Sequence, residues 1–193
     1  MKRALASLSM LALLAMPLAA ADPYKAPELA FNIPGQGQKL LSQYRGKVVA
    51  LEFIFTTCPH CQAASKVMSG YQKEFGARGF QAIDVAVNEN ADLLVENFAR
   101  DYQVAFPVGW TPRDQMLSFM GFESGRFVVP QLVLIDRKGY IHYKTPALEN
   151  EDWDKQMKPE TIRDHIEELL SLGASASRSP QAHSHIASVK KPS

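Results

Sequence analysis

The sequence predicts an α/β fold in which a central mixed β-sheet carries helices on both faces, and three observations predict it. "VVALEFIF", Val48 to Phe55, is an almost unbroken apolar run rich in β-branched and aromatic residues, as a central strand covered on both faces would be. It passes directly into a segment of helical period, and strand-like and helix-like segments then alternate. Late in the chain, "RFVVPQLVLID" and "YIHYKT" flank the turn Asp136-Arg137-Lys138-Gly139, the pattern of an antiparallel hairpin.

Taken in order, "APELAFNIPGQGQKLLSQYRGK" has Pro27, Pro34 and three glycines, and reads as short extended pieces and turns leading into the first strand. From Pro59 the apolar positions Ala64, Val67, Met68, Tyr71 and Phe75 share a helix face, and Gly76 and Gly79 mark its end. "FQAIDVAV", Phe80 to Val87, is a second strand; "ADLLVENFARDYQV" is a helix with Asn90 as its N-cap. "AFPVGW" is a short strand and "TPRDQMLSFMGF" a short helix, capped by Thr111 with Pro112 in its first turn. "KPETIRDHIEELLSLG" closes the body as an amphipathic helix whose face is Ile162, Ile166, Leu169 and Leu170, stopped by Gly173.

At 193 residues, with 46% hydrophobic and 21% charged residues, the chain suits one globular domain. Residues 1–21 carry Lys2 and Arg3, an apolar stretch and the small-residue run Ala19-Ala20-Ala21, which is the pattern of a cleaved secretory signal. An uncleaved membrane anchor is the alternative, because the apolar run from Ala4 nearly reaches spanning length; no cysteine at the cleavage region offers a lipidation site. Residues 22–173 form the expected domain, and 174–193, small, polar and aperiodic, are expected to be a disordered tail. Between leader and tail the body holds 16 basic and 20 acidic residues, a balance that gives no electrostatic footprint for nucleic acid. Export places the chain in an oxidising environment, where disulfides form and persist.

The only two cysteines, Cys58 and Cys61, lie in "LEFIFTTCPHCQ", where strand becomes helix. A sulfur at a helix N-terminus faces free backbone N–H groups and the positive end of the helix dipole, which favour thiolate over thiol. His60, when protonated, acts in the same direction, and Pro59 costs no hydrogen bond at the helix start. Cys61, one turn further in, is placed to attack a mixed disulfide on Cys58, so the pair reads as a redox exchange centre. A structural disulfide is the bland alternative, but so short a loop contributes only about 2 kcal/mol. Zinc would want four ligands, and His142, His165, His183 and His185 are scattered; haem attachment would need a histidine where Gln62 stands. No metal and no cofactor is therefore expected.

Glu52 is a charge inside an apolar strand. It is either a solvent-facing strand residue or a partly buried carboxylate, with its pKa raised, that accepts the proton of Cys61. Pro130 interrupts a strand-like run that a central strand would not tolerate.

These residues together resemble the thioredoxin superfamily: CPHC after an apolar strand, then a helix, with a later Val-Pro opening a hairpin. "APELAF", "LLSQYRGKVVALEF" and "VPQLVLIDRKGYIHY" are similar to the TlpA-like exported thiol-disulfide oxidoreductases, a redoxin frame of AhpC/TSA type, over most of residues 26–172. The active-site dozen instead resembles the DsbA family of periplasmic disulfide oxidases, with CPHC, a Glu six residues before the first Cys, and Val before the proline. The span from Cys58 to Pro130 leaves no room for that family's inserted helical domain. The resemblance implies a thioredoxin-like fold with a TlpA-like N-terminal hairpin and strand-helix insertion. It further implies Cys58 as nucleophile, Cys61 as resolving cysteine, Glu52 as the buried acid and Val129-Pro130 as a cis-proline loop that docks substrate.

The implied activity is thiol-disulfide exchange on exported proteins by a soluble protein of the periplasm, with a redox partner that could be membrane-embedded; its direction stays open. Thr57 stands where this family often has tryptophan, and Ala64 where some reductive members have glutamate, departures that argue against a cytochrome c maturation role. Phe55 stands where a peroxiredoxin would want threonine. A Cu(I)-binding metallochaperone module of the same fold, or a peroxiredoxin-like antioxidant, is the alternative function.

Overall fold

A computed structural model describes residues 22–123 and 126–176. Strand β1 (Tyr24–Lys25) is followed by the hairpin β2 (Ala30–Ile33) and β3 (Gly37–Leu40), the short extended pieces read from the lead-in. Strand β4 (Val48–Ile54) runs into helix α1 (Pro59–Phe75), and β5 (Phe80–Ala86) into α2 (Ala91–Asp101). Strand β6 (Val108–Trp110) leads to α3 (Arg113–Met120), and the hairpin β7 (Gln131–Ile135) and β8 (Tyr140–Lys144) to α4 (Glu151–Gln156) and α5 (Pro159–Ala176). The eight strands form one mixed sheet in the order β1-β8-β7-β4-β5-β6-β2-β3, in which β4 pairs parallel with β5 and antiparallel with β7.

Every residue of β4 is buried, as a continuous apolar run demands of a strand covered on both faces. Its alternating side chains serve two cores. Val49, Leu51 and Phe53, with Val85 and Val133, pack beneath Met116 and Phe119 of α3 and against Phe31 of the lead-in. Val48 and Ala50, with Leu134, pack beneath Met68 and Phe75 of α1 and Ile166 and Leu169 of α5. Ile54 continues that face, meeting Val95 and Phe98 of α2 together with Cys61. The helices thus lie on both faces, and the strand ends where α1 can place Cys58 and Cys61 above it.

Phe53 is wholly buried and meets Phe119 edge-on at 5.7 Å. Phe53→Ala is expected to cost about 3–5 kcal/mol of stability, measured as a lowered midpoint in a denaturant titration. The lead-in hairpin joins the sheet through Asn32 opposite Trp110. There Gly109 is required, because a Cβ would lie 2.6 Å from the Asn32 carbonyl oxygen.

Several local expectations are corrected. Asn90 occupies the N-cap position of α2 but in the left-handed region (φ 55), and its side chain makes no cap hydrogen bond. Thr111 does not cap α3, whose N-cap is Pro112; its hydroxyl instead donates to the Ala30 carbonyl, tying the lead-in to β6. Strand β7 begins only after Pro130, since residues 126–130 lie outside the ladder that a proline cannot join. Gly173 does not stop α5, which continues to Ala176. Helix α4 was unforeseen; the Asn150 side chain accepts the Trp153 N–H, and Glu151, Asp152 and Asp154 favour its N-terminus. The expected signal at 1–21 and the tail beyond residue 176 lie outside the described residues. Among the described residues no helix is long and apolar enough to cross a membrane.

Candidate active site

The turn from β4 into α1 is held by its own backbone. The Cys58 N–H donates to the Phe55 carbonyl at 3.0 Å, and the Thr56 N–H and hydroxyl both donate to Asn88 Oδ1, at 2.9 and 3.3 Å. Cys58 is therefore fixed as the N-cap of α1, where its Sγ accepts the Cys61 N–H at 3.4 Å and satisfies one of the helix's unpaired donors. Pro59 fills the first helical position, and Pro59 and His60 are both exposed. Cys58 is half-buried and Cys61 fully buried, so one sulfur faces visitors and the other lies beneath it. Burial pushes the Cys61 thiol well above the ordinary cysteine value, opposed by a backbone hydrogen bond from Phe55 and reinforced by Cys58 and Glu52.

The Val129-Pro130 peptide bond is cis, and the Cys58 thiol lies 3.8 Å from the Val129 carbonyl oxygen. Two buried polar residues hold this loop in place. Gln131 donates to the carbonyls of Val128 and Pro146, at 2.9 and 3.1 Å; its Oε1 accepts the Thr145 hydroxyl at 2.6 Å, and Thr145 Oγ1 accepts the Leu132 N–H. Buried polar groups paired in this way specify one arrangement of the loop.

Glu52 is buried, not solvent-facing, with 1% of its surface exposed. It lies directly across the sheet from Asp84, which is also fully buried. Neither Glu52 oxygen meets a hydrogen-bond donor, and Asp84 Oδ1 likewise has none. Burial, and then the neighbouring Asp84 carboxylate, push the Glu52 carboxyl well above its usual range. Burial pushes Asp84 up to about 7, while the hydrogen bond from Ser65 and the neighbouring Glu52 carboxyl hold it down. Among the described residues, no basic side chain acts on this cluster.

Beside the cysteines an apolar groove of about 370 Å³ runs between α1, Pro130 and the α4–α5 junction, with Val67, Trp153 and Met157 among its walls and His60 at its rim. The structure thus brings Cys58, Cys61, Val129 and Pro130 together, sets Glu52 beneath Cys61, and leaves Pro59 and His60 on the surface. Sequence reasoning missed Asp84, Ser65, Asn88, Gln131 and Trp153. Asp84 had a readable signal, a charge in the apolar run "FQAIDVAV", the same anomaly that singled out Glu52. Among the described residues no group of three or more His, Cys, Asp or Glu is placed to hold a metal ion.

Residues 24–144 match the AhpC/TSA family, well over half of the chain. The chain belongs to that family, as a TlpA-like member. It is 27% identical to thiol-disulfide oxidoreductase ResA of Geobacillus thermodenitrificans over 144 residues, covering 75% of each chain. It is 30% identical to ResA of Geobacillus kaustophilus over 134 residues, covering 69% of this chain and 74% of that one. A thiol:disulfide interchange protein of the thioredoxin family from Chlorobium tepidum superposes with a TM-score of 0.62, over 79% of this chain and 99% of that one. At 22% identity this last likeness shows the fold, which is thioredoxin-like.

Proposed function

We propose that this chain is a protein thiol-disulfide oxidoreductase working on exported proteins through Cys58 and Cys61. The observation that carries the reading is the division of labour between the sulfurs: Cys58 half-exposed on a helix N-terminus against the Val129-Pro130 loop, Cys61 buried one turn behind it. Family membership and the ResA relatives support the oxidoreductase class. The leader-like residues 1–21 support export, and substrate polypeptide would lie along Val129 and Pro130 into the apolar groove.

In the reducing direction the Cys58 thiolate attacks one sulfur of a substrate disulfide. That S–S bond breaks, the departing substrate thiolate takes up a proton, and a mixed disulfide joins Cys58 to the substrate. Cys61 then gives up its proton and attacks Cys58 Sγ, which releases the second substrate thiolate and leaves a Cys58–Cys61 disulfide. The substrate has gained two electrons and two protons; run backwards, the same steps oxidise a substrate dithiol. Glu52, beneath Cys61, is the proposed acceptor of the Cys61 proton.

The test is catalysed exchange between this protein and a disulfide-bonded protein substrate, followed by trapping of free thiols. Turnover with a mixed-disulfide intermediate is expected. Tight Cu(I) binding without turnover would replace the reading with a metallochaperone, and turnover of peroxide alone with a peroxidase. As to direction, Cys58 sits on the N-terminus of α1, where the helix dipole favours a negative sulfur and so makes the disulfide the better oxidant. The reduction potential is expected to lie above thioredoxin's roughly −270 mV; a measured value at or below that figure would assign the protein to reduction.

A further inference from the structure

Glu52 on β4 and Asp84 on β5 are register partners in a parallel pair of central strands, so their side chains rise from the same face, beneath α1. Asp84 Oδ2 accepts the Ser65 hydroxyl at 2.5 Å, and that same hydroxyl oxygen lies 3.0 Å from the Cys61 carbonyl oxygen. The flanking strands present apolar partners, Leu132 opposite Glu52 on β7 and Val108 opposite Asp84 on β6, and the core on this face includes Ile162 and Ile166 of α5. Among the described residues, the charged or titratable groups acting on the pair are each other and Cys61.

Two adjacent carboxylates cannot both stay ionised in such a place, because each buried charge costs several kcal/mol unless paired. A single proton between them removes one charge and supplies a hydrogen bond to an otherwise unpartnered oxygen. We propose that Glu52 and Asp84 work as one proton-sharing pair, that Ser65 steadies Asp84 as its ionised member, and that this pair receives the Cys61 proton during resolution. The inference rests on the proposed exchange reaction and adds Asp84 and Ser65 to it as positioning residues.

The hydroxyl of Ser65 has one hydrogen and two acceptors within reach, so it has two arrangements. With Asp84 ionised, Ser65 donates to Asp84. When the Cys61 proton passes to Glu52, the Glu52 proton passes on to Asp84 Oδ1; neutral Asp84 is then the weaker acceptor, and the Ser65 hydrogen is free to turn to the Cys61 carbonyl. The leaving substrate thiolate later takes up the proton and resets the pair, so no proton is left over.

The experiment follows the full chain, with isotope-labelled glutamate, by infrared spectroscopy of the protonated-carboxyl band across pH, and times mixed-disulfide resolution by stopped flow. Asp84→Asn is expected to lower the pH at which the Glu52 band titrates and to slow resolution at least tenfold, while the first attack by Cys58 keeps its rate. Ser65→Ala keeps both carboxyls but removes the donor that steadies Asp84, so the acid limb of the resolution rate should move to higher pH. An unchanged Glu52 titration in Asp84→Asn, or an unmoved acid limb in Ser65→Ala, overturns the pair. Mixed-disulfide formation by Cys58 in all these variants shows that such a failure belongs to the pair alone; its absence in the wild type would instead defeat the exchange reaction.

Discussion

Cys58→Ser is expected to abolish protein disulfide exchange, lowering turnover on the order of 10⁴-fold or more, because the only other thiol, Cys61, is fully buried and cannot begin the reaction. Cys61→Ser should behave differently. Its Cys58 still attacks, but nothing attacks Cys58 in return, so a mixed disulfide with the substrate should accumulate to near stoichiometry on a non-reducing gel. The contrast follows from geometry: the half-buried cap cysteine can meet another protein, and the wholly buried one can meet only its neighbour. Neither change should unfold the domain, since a hydroxyl is nearly isosteric with a thiol, and melting curves check this. Turnover by Cys58→Ser within tenfold of the wild type would end the proposed mechanism.

Much of this site was legible because it depends on local order along one strand and one helix. A run that is apolar but for Glu52 and rich in β-branched and aromatic residues suits a strand covered on both faces, and Pro59 soon after it suits the first position of a helix, which leaves Cys58 as the cap. Helix faces such as Ile162, Ile166, Leu169 and Leu170 repeat at a period the chain itself displays, and all four are buried. Elements whose ends are decided by partners elsewhere were harder. Thr111 looks like a helix cap in sequence, but the Ala30 carbonyl, 81 residues away, claims its hydroxyl. Gly173 looks like a stop, yet α5 runs through it.

The proton machinery was half legible for the same reason. Glu52 announced itself as a charge out of place, but whether it faced water or core is set by which strands flank β4. Only the β4–β5 register places Asp84 opposite it, and only the α1 packing brings Ser65 within 2.5 Å. The loop that offers Val129 to Cys58 likewise depends on Gln131 and Thr145, ordinary polar residues whose meaning lies in the hairpin that joins them.

Glu52→Gln is expected to make the protein more stable at alkaline pH while impairing catalysis, the signature of a group kept for chemistry at the expense of the fold. An acid whose folded-state value lies above its unfolded one keeps, in the native state, a proton that the unfolded chain has released. Stability is then full below the unfolded value, near pH 4, and falls as pH rises, by at most about 1.4 kcal/mol per pH unit for each such proton. For Asp84 the loss runs from about pH 4 to about 7. Glu52, whose burial and carboxylate neighbour raise it further, continues the loss to higher pH. Removing one carboxyl from the pair removes its share of that slope and the desolvation behind it. The gain at pH 8 should be on the order of a few kcal/mol, and each kcal/mol raises the melting temperature of a domain this size by about 2–4 °C. Below about pH 3, where both carboxyls are protonated in either state, the advantage should vanish. Thermal melts of wild type and Glu52→Gln across this range decide the matter: a variant less stable than the wild type at pH 8, or two curves of equal slope, would mean that the Glu52 carboxyl supports the fold instead of burdening it.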